Sequence, residues 1–421
     1  MTLAHPLPVR PTARLLDAAG ALYLAGVRAR GPLDAATARF LRGRHDLRGA
    51  ERGFVVQTAQ GMLRLRRRLD AAAARLKDEP TRGALACLYL VGALDVAVGE
   101  LPIDAAGGRA LRDAWRATDE DPVEVRTGLP PWLWQRLVAE RGADDALALA
   151  TAFQGAPPVT LRANRLRTTP ADLIAALGAE GVRAERGRLA PDAVVLVERA
   201  ELFGTRAFAA GLFEMQDEGS QLVSLLCGAT PGMTVVDGCA GAGGKTLHLA
   251  AQMQGKGTLY ALEPHERRRH DLTRRLARAG AHNVRVDDVE RKKRLSGKAD
   301  VVLVDAPCSG TGVLRRNPDT AWVLDEASVT RLQAQQQEIL SGYAPLVRPG
   351  GRLVYATCSV LADENERAVA TFLRCHPDFA LEDAGSALAQ SGVTLPGKVL
   401  RVDPARHGTD GFFGALLSRA R

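Results

Sequence analysis

Two short segments place a thiol where chemistry is possible: Asp305-Ala306-Pro307-Cys308-Ser309-Gly310 and Tyr355-Ala356-Thr357-Cys358-Ser359. Each follows a short apolar run, 301–304 and 352–355, that reads as a β-strand. In open α/β sheets ligands sit beyond the carboxyl ends of the strands, so both thiols and Asp305 are expected at a ligand crevice. Residues 237–246, Asp-Gly-Cys-Ala-Gly-Ala-Gly-Gly-Lys-Thr, form a glycine-rich turn after a third apolar run, Val235-Val236. Glycines there let a ligand approach the backbone closely and use its amide donors.

This set of groups suits a thiolate addition followed by an alkylation. Carbon 5 of cytosine is a poor nucleophile. A thiolate that adds to carbon 6 turns the ring into an enamine, whose carbon 5 can attack an electrophilic methyl. The addition puts electron density on N3, and Asp305 is the candidate to contact N3 and the exocyclic amine. Amine-methylating enzymes often carry an Asn/Asp-Pro-Pro-aromatic turn after this strand; here Cys308 replaces the last part of it, which points to carbon as the target. Only the thiolate is useful, so the nucleophile needs a local positive field, for which Lys245 is one source. On residue chemistry alone, either Cys308 or Cys358 can be the nucleophile.

Three readings of the glycine turn compete. A phosphate loop of the Walker type needs a glycine six residues before its lysine, where this chain has Cys239. A dinucleotide site would space its glycines as G-x-G-x-x-G, and these do not. S-adenosylmethionine (SAM) fits better, because Glu263 ends the next apolar run, 258–261, where an acid can accept two ribose hydroxyls. Asp288, or its neighbour Asp287, closes the third run and can reach the adenine end. Residues 239–245 (Cys239, Ala240, Gly241, Ala242, Gly243, Gly244 and Lys245) are the expected cradle, with Asp305 beside it.

The remaining cysteines, Cys87, Cys227 and Cys375, lie in helical apolar patterns and are expected in the core. No Cys/His spacing of a metal site occurs, and the chemistry needs no metal. Free thiols suit a reducing compartment. The first residues hold no apolar segment of signal type, and no apolar run approaches a membrane span, so a cytoplasmic protein is expected.

Three regions must position these groups. Residues 1–118 read as an all-α bundle, with Leu15, Leu16, Ala19, Leu22 and Tyr23 at helical spacing. Arg64, Arg66, Arg67 and Arg68 cluster there, either as a solvated helix face or as an RNA contact. Residues 123–210 mix strands and helices as a small α+β module of ferredoxin or RRM-like type. Its Arg162, Arg165 and Arg167 either meet phosphates or flank an edge strand. Residues 211–421 alternate strands and helices as a Rossmann-like α/β domain with a largely parallel sheet. The 421 residues carry a formal net charge of +8 and a pI near 9.4, which favours a polyanionic partner.

These residues resemble the Nop/Sun family of RNA cytosine-5 methyltransferases, and within it the bacterial Sun-type ribosomal RNA branch. DGCAGAGGKT is similar to the family's SAM loop. DAPCSGTGVLRRNPD followed by Trp322 resembles its fourth motif, and YATCSV with Glu364, Asn365 and Glu366 its sixth. RPGGRLVY, HGTDGFFGALL, PPWLW and LRANRLR also resemble family segments. Residues 11–118, with LRGAERGFVVQTAQGMLR, are similar to the NusB-like RNA-binding domain fused to such enzymes. The resemblance implies Cys358 as nucleophile, Cys308 as the group that helps release the methylated base, and Asp305 as a cytosine contact. It implies that residues 239–245, Glu263 and Asp288 hold SAM. It also implies a small-subunit ribosomal RNA substrate, 16S, met before full subunit assembly; a monomer is expected.

Two departures stand out. The family usually has Ala-Pro where this chain has Gly241-Ala242, a change expected to loosen the loop. The acid after the third strand lacks a clear family signature. Two alternatives keep other classes in view: a non-catalytic RNA-binding assembly factor, which the cysteine pair disfavours, and a nucleotide triphosphatase, which lacks the first Walker glycine.

Overall fold

A computed structural model describes residues 7–28 and 33–421; residues 1–6, read above for a targeting segment, lie outside the described residues. The chain divides into two compact units, Met1–Ala156 with Val313–Glu326, and Pro157–Gly312 with Ala327–Arg421.

The first unit is helical. Helices Ala13–Arg28, Ala50–Arg64 and Arg82–Ala93 supply most of its core, including Leu15, Leu22, Met62, Leu88 and Leu90. Thr81 starts the third of these by accepting the amide of Ala84 at 3.2 Å, which satisfies one of the free donors of a helix start. The segment Val313–Glu326, although distant in sequence, is pinned into this unit. Asp319 Oδ2 accepts the amide of Leu33 at 2.8 Å, and the indole of Trp132 donates to the carbonyl of Ala321 at 3.2 Å.

The arginine cluster turns inward. Arg64 is buried and donates to the carbonyl of Arg315 at 2.8 Å. The Arg66 guanidinium lies 4.3 Å from the ring centre of Trp322. Arg67 donates to the carbonyl of Glu124 at 3.3 Å, and Arg68 to the Thr118 hydroxyl at 2.8 Å and to Asp119 at 2.5 Å. The cluster is therefore not a solvated helix face. The long stems cover apolar surface while the planar heads satisfy carbonyls and carboxylates of neighbouring segments, a use for which guanidinium is well suited.

The second unit contains two sheets. The small one has four antiparallel strands in the spatial order Ala184–Arg186, Ala193–Leu196, Thr160–Ala163, Phe213–Met215. Helix Pro170–Gly178 packs Leu173 and Leu177 against Leu161, Val194 and Phe213. Thr169 starts that helix by accepting the amide of Asp172 at 3.2 Å. This is the split β-α-β arrangement expected from the sequence.

The large sheet has eight strands. Five are parallel: Val284–Asp287, Thr258–Leu262, Thr234–Asp237, Ala299–Asp305 and Val347–Thr357, in that spatial order. The antiparallel strand Phe412–Arg419 follows, bordered by Phe379–Leu381 and Leu400–Val402. The sheet is buried on both faces, which is why its strands read as unbroken apolar runs. Val301 and Leu303 join the core on one face, Val302 and Val304 the core on the other.

Cys87 and Cys227 are buried as expected, but Cys375 is exposed. It continues the apolar stripe of helix Glu366–Cys375 beyond Phe372, yet it is the helix's last residue, past the packed part of that face. No described helix is long and apolar enough to cross a membrane.

Candidate active site

Parallel pairing brings the site together. Asp305 pairs with Ala356 across neighbouring parallel strands, so the two strands end at the same edge. The chain after Asp305 carries Cys308 and the chain after Thr357 carries Cys358. Their sulfurs stand 3.4 Å apart. The backbone joins the loops as well, with the amide of Gly312 donating to the carbonyl of Cys358 at 2.9 Å.

The glycine turn leaves the neighbouring strand Thr234–Asp237 at the same edge, and Lys245 in the following helix reaches across. Its ammonium bonds Asp305 Oδ2 at 2.6 Å and lies 5.2 Å from the ring centre of Phe412. Burial opposes the charge on Lys245, yet the Asp305 carboxylate and the Cys358 sulfur hold its pKa above the ordinary lysine value. The Cys308 thiol is pushed well above the usual range by its hydrogen bond to the Cys358 sulfur, by burial and by the Glu364 carboxylate. The two sulfurs therefore differ. Cys358 faces the Lys245 ammonium, whereas Cys308 is kept as a thiol in hydrogen-bond contact with Cys358.

Cys239, in the turn itself, is pushed strongly upward by burial and by Asp237, Asp305 and Glu263, which leaves it an unreactive thiol. Gly241 has φ +53° and Gly243 φ +88°. A Cβ on Gly243 would come 2.1 Å from Leu272 Cδ1, while at Gly241 the nearest atom is 4.0 Å away. Gly243→Ala is accordingly expected to cost about 2–3 kcal/mol, from left-handed strain plus a core clash. Gly241→Ala should cost about 1 kcal/mol, from strain alone. Thermal melts of the two variants check this; equal melting temperatures would contradict it.

The missing proline does not leave the turn untied. Glu263, buried at the end of the next strand, accepts the amides of Gly241 at 3.0 Å and His265 at 2.9 Å. Arg275 donates to the carbonyl of Ala242 at 2.5 Å, and Arg162 to that of Gly244 at 2.7 Å. Arg162 thus neither meets a phosphate nor flanks an edge. It is fully buried and braces the glycine turn from the small sheet. Arg167 is likewise spent on the carbonyl of Ala279 at 3.0 Å, and Arg165 lies 3.5 Å from Asp192.

The acids after the third strand are both half-exposed. Asp288 accepts the amide of Glu290 at 3.1 Å and pairs with Arg269 at 3.0 Å. Asp287 accepts the amide of Asp288 at 2.9 Å and lies 3.7 Å from Arg291.

Two groups escaped the sequence reading. Asp237 is buried, its Oδ2 accepts the Thr246 hydroxyl at 2.6 Å, and its Oδ1 has no hydrogen-bond partner among the described residues. Burial raises its pKa to about 6. Phe412 supplies the ring beneath Lys245. The signal for Asp237 was its place at a strand end before the turn; nothing local marks Phe412.

These features fit SAM. An orphaned buried oxygen on Asp237, open space over Gly241, left-handed glycines that keep side chains out of the turn and a buried acid at the next strand end form a cradle for a nucleoside with a charged tail.

Comparison with known proteins agrees with the geometry. The family model described as 16S rRNA methyltransferase RsmB/F matches residues 225–418, and that of the RsmF/B-like ferredoxin-like domain matches residues 129–202. A probable ribosomal RNA small subunit methyltransferase B of Bacillus subtilis is 35% identical over 309 residues, covering 70% of this chain and 68% of its own. The ribosomal RNA small subunit methyltransferase B of Pseudomonas putida is 32% identical over 400 residues, covering 87% and 90%. The crystal structure of a methyltransferase homologue from Pyrococcus horikoshii matches with a TM-score of 0.60 at 28% identity, over 70% of this chain and 97% of that one. With its thiol pair, its braced glycine turn and relatives that span most of its length, the chain belongs to the RsmB/F family of ribosomal RNA small subunit methyltransferases.

Proposed function

We propose that this chain transfers a methyl group from SAM to carbon 5 of a cytosine in small-subunit ribosomal RNA, 16S, through a transient bond between the Cys358 sulfur and carbon 6. The observation that carries this reading is the pair of sulfurs 3.4 Å apart at adjacent strand ends, beside the Lys245–Asp305 pair. SAM, when bound, supplies a methyl made electrophilic by its sulfonium. Asp237, residues 239–245, Glu263 and Asp288 would hold it.

The chain's own groups do the rest. The Cys358 thiolate bonds to carbon 6, and the ring's double-bond electrons become available at carbon 5. Asp305 accepts the N–H of the exocyclic amine and passes to N3 a proton drawn from the Lys245 ammonium bonded to it, which N3 returns as the 5,6 double bond re-forms. The Lys245 ammonium bonded to it counters the electron density that addition places on N3. Once carbon 5 carries the methyl, a base removes its proton and that electron pair re-forms the 5,6 double bond. The carbon–sulfur bond breaks, its pair returns to the Cys358 sulfur, and the neighbouring Cys308 S–H donates to that departing sulfur.

In this reading residues 1–118 and 123–210 are RNA-binding regions around the catalytic domain 211–421 of a cytoplasmic monomer. The target cytosine lies in an unstacked or loop segment, because the ring must leave any stack to meet the sulfur. Bisulfite sequencing of ribosomal RNA from cells with and without the gene tests the reading. At least one protected cytosine should lose protection in the deletion strain; identical maps would refute it. SAM binding without transfer to any RNA would instead favour the assembly-factor alternative.

A further inference from the structure

Behind the two thiols lies a buried polar network that the reaction scheme above does not use. Gln336 and Glu364 are fully buried and Asn365 nearly so. Glu364 Oε1 accepts the amide of Ser309 at 2.8 Å and the side-chain amide of Gln336 at 2.9 Å. Its Oε2 accepts the Ser309 hydroxyl. The same Gln336 nitrogen donates to the carbonyl of Pro307 at 2.9 Å. Both peptide neighbours of Cys308 are thus held by one carboxylate–amide pair.

Asn365 does the same for the other thiol. Its Oδ1 accepts the Thr357 hydroxyl at 2.6 Å, and its Nδ2 donates to the carbonyl of Ser359 at 3.0 Å. These are the two neighbours of Cys358. Asn365 also stands immediately before helix Glu366–Cys375, where an asparagine usually caps its own helix, yet its side chain makes no such bond. A favourable local use is forgone for a tertiary one, as happens at functional sites. The Tyr355 hydroxyl fixes the pair to the sheet by donating to the carbonyl of Glu364 at 2.7 Å. Ser309 and Ser359 join the loops through hydroxyls 3.2 Å apart.

We infer that Glu364, with Gln336, and Asn365 are separate positioning residues for the two sulfurs: Glu364 serves release through Cys308, and Asn365 serves attack through Cys358. The inference rests on the roles proposed above for the two cysteines. The Glu364 carboxylate also helps keep Cys308 protonated, as a donor to the departing sulfur must be.

The two clamps predict opposite defects in the full-length protein, assayed with small-subunit ribosomal RNA and labelled SAM. Asn365→Ala should slow formation of the enzyme–RNA adduct about a hundredfold, as expected for a misplaced reacting atom. Glu364→Gln should form the adduct at the normal rate but release it about a hundredfold more slowly, leaving a band that survives denaturing gels. KM for SAM should stay unchanged in both. If one of them fails to fold, Thr357→Val and Gln336→Leu remove one bond from the respective clamp and should show the same split more weakly. Equal losses of adduct and turnover in both variants, or no loss in either, would overturn the inference. Failure of Cys358→Ala or Cys308→Ala to behave as expected would instead overturn the underlying roles.

Discussion

Cys358→Ala is expected to abolish methyl transfer to RNA, by roughly ten-thousand-fold or more, as removal of a covalent nucleophile does elsewhere. Carbon 5 becomes nucleophilic only after a group adds at carbon 6, and no other described group stands ready to replace this sulfur. Cys308 is the nearest, but its burial and Glu364 keep it a thiol. It is also clamped through Pro307 and Ser309, so it cannot swing into the vacant place. Cys358→Ser should be equally inactive, because a hydroxyl beside Lys245 does not ionise as a thiol can. SAM affinity should persist in both variants, since the glycine turn is braced by Glu263, Arg275 and Arg162. Tritium transfer from labelled SAM into RNA is the measurement. Undiminished turnover would remove Cys358 from the mechanism.

Cys308→Ala should produce the complementary failure: attack and methylation proceed, and the methylated base stays bonded to Cys358. The basis is the 3.4 Å approach of the two sulfurs and the protonated state of Cys308. Without that S–H the departing sulfur has lost its nearest donor. Turnover should fall roughly a hundredfold or more, the usual range for loss of a positioned proton donor. The protein should still fold, since removing one sulfur atom costs about 1 kcal/mol in a site already held by Glu364, Gln336 and Asn365. A covalent protein–RNA band on a denaturing gel, absent from the double variant lacking both thiols, is the expected readout. A Cys308→Ala enzyme that turns over normally with no band would remove the release role.

Much of this site is legible in one dimension because its parts are local. A short apolar run ending in an acid or a turn marks a strand and its carboxyl end, so 301–305, 352–357 and 235–237 gave both thiols, Asp305 and the glycine turn. A helix start such as Thr169 before Pro170 is local in the same way, since its cap bond spans three residues. The short strands Ala184–Arg186, Phe213–Met215, Phe379–Leu381 and Leu400–Val402 were not legible. Three residues carry too little periodicity, and only long-range pairing makes them strands.

The amino-acid order by itself determined the candidate reacting groups and that each follows a strand end, because backbone period and turn chemistry act over a few neighbours. Only the tertiary structure decided which groups meet. Parallel pairing sets sulfurs 50 positions apart in the chain within 3.4 Å. Burial turns Arg64 and Arg162 from candidate RNA contacts into braces and leaves Cys375 outside the core. Packing spends Glu364 and Asn365 on the thiol loops. Those outcomes depend on desolvation and hydrogen-bond satisfaction among segments far apart in sequence, and no local pattern encodes them.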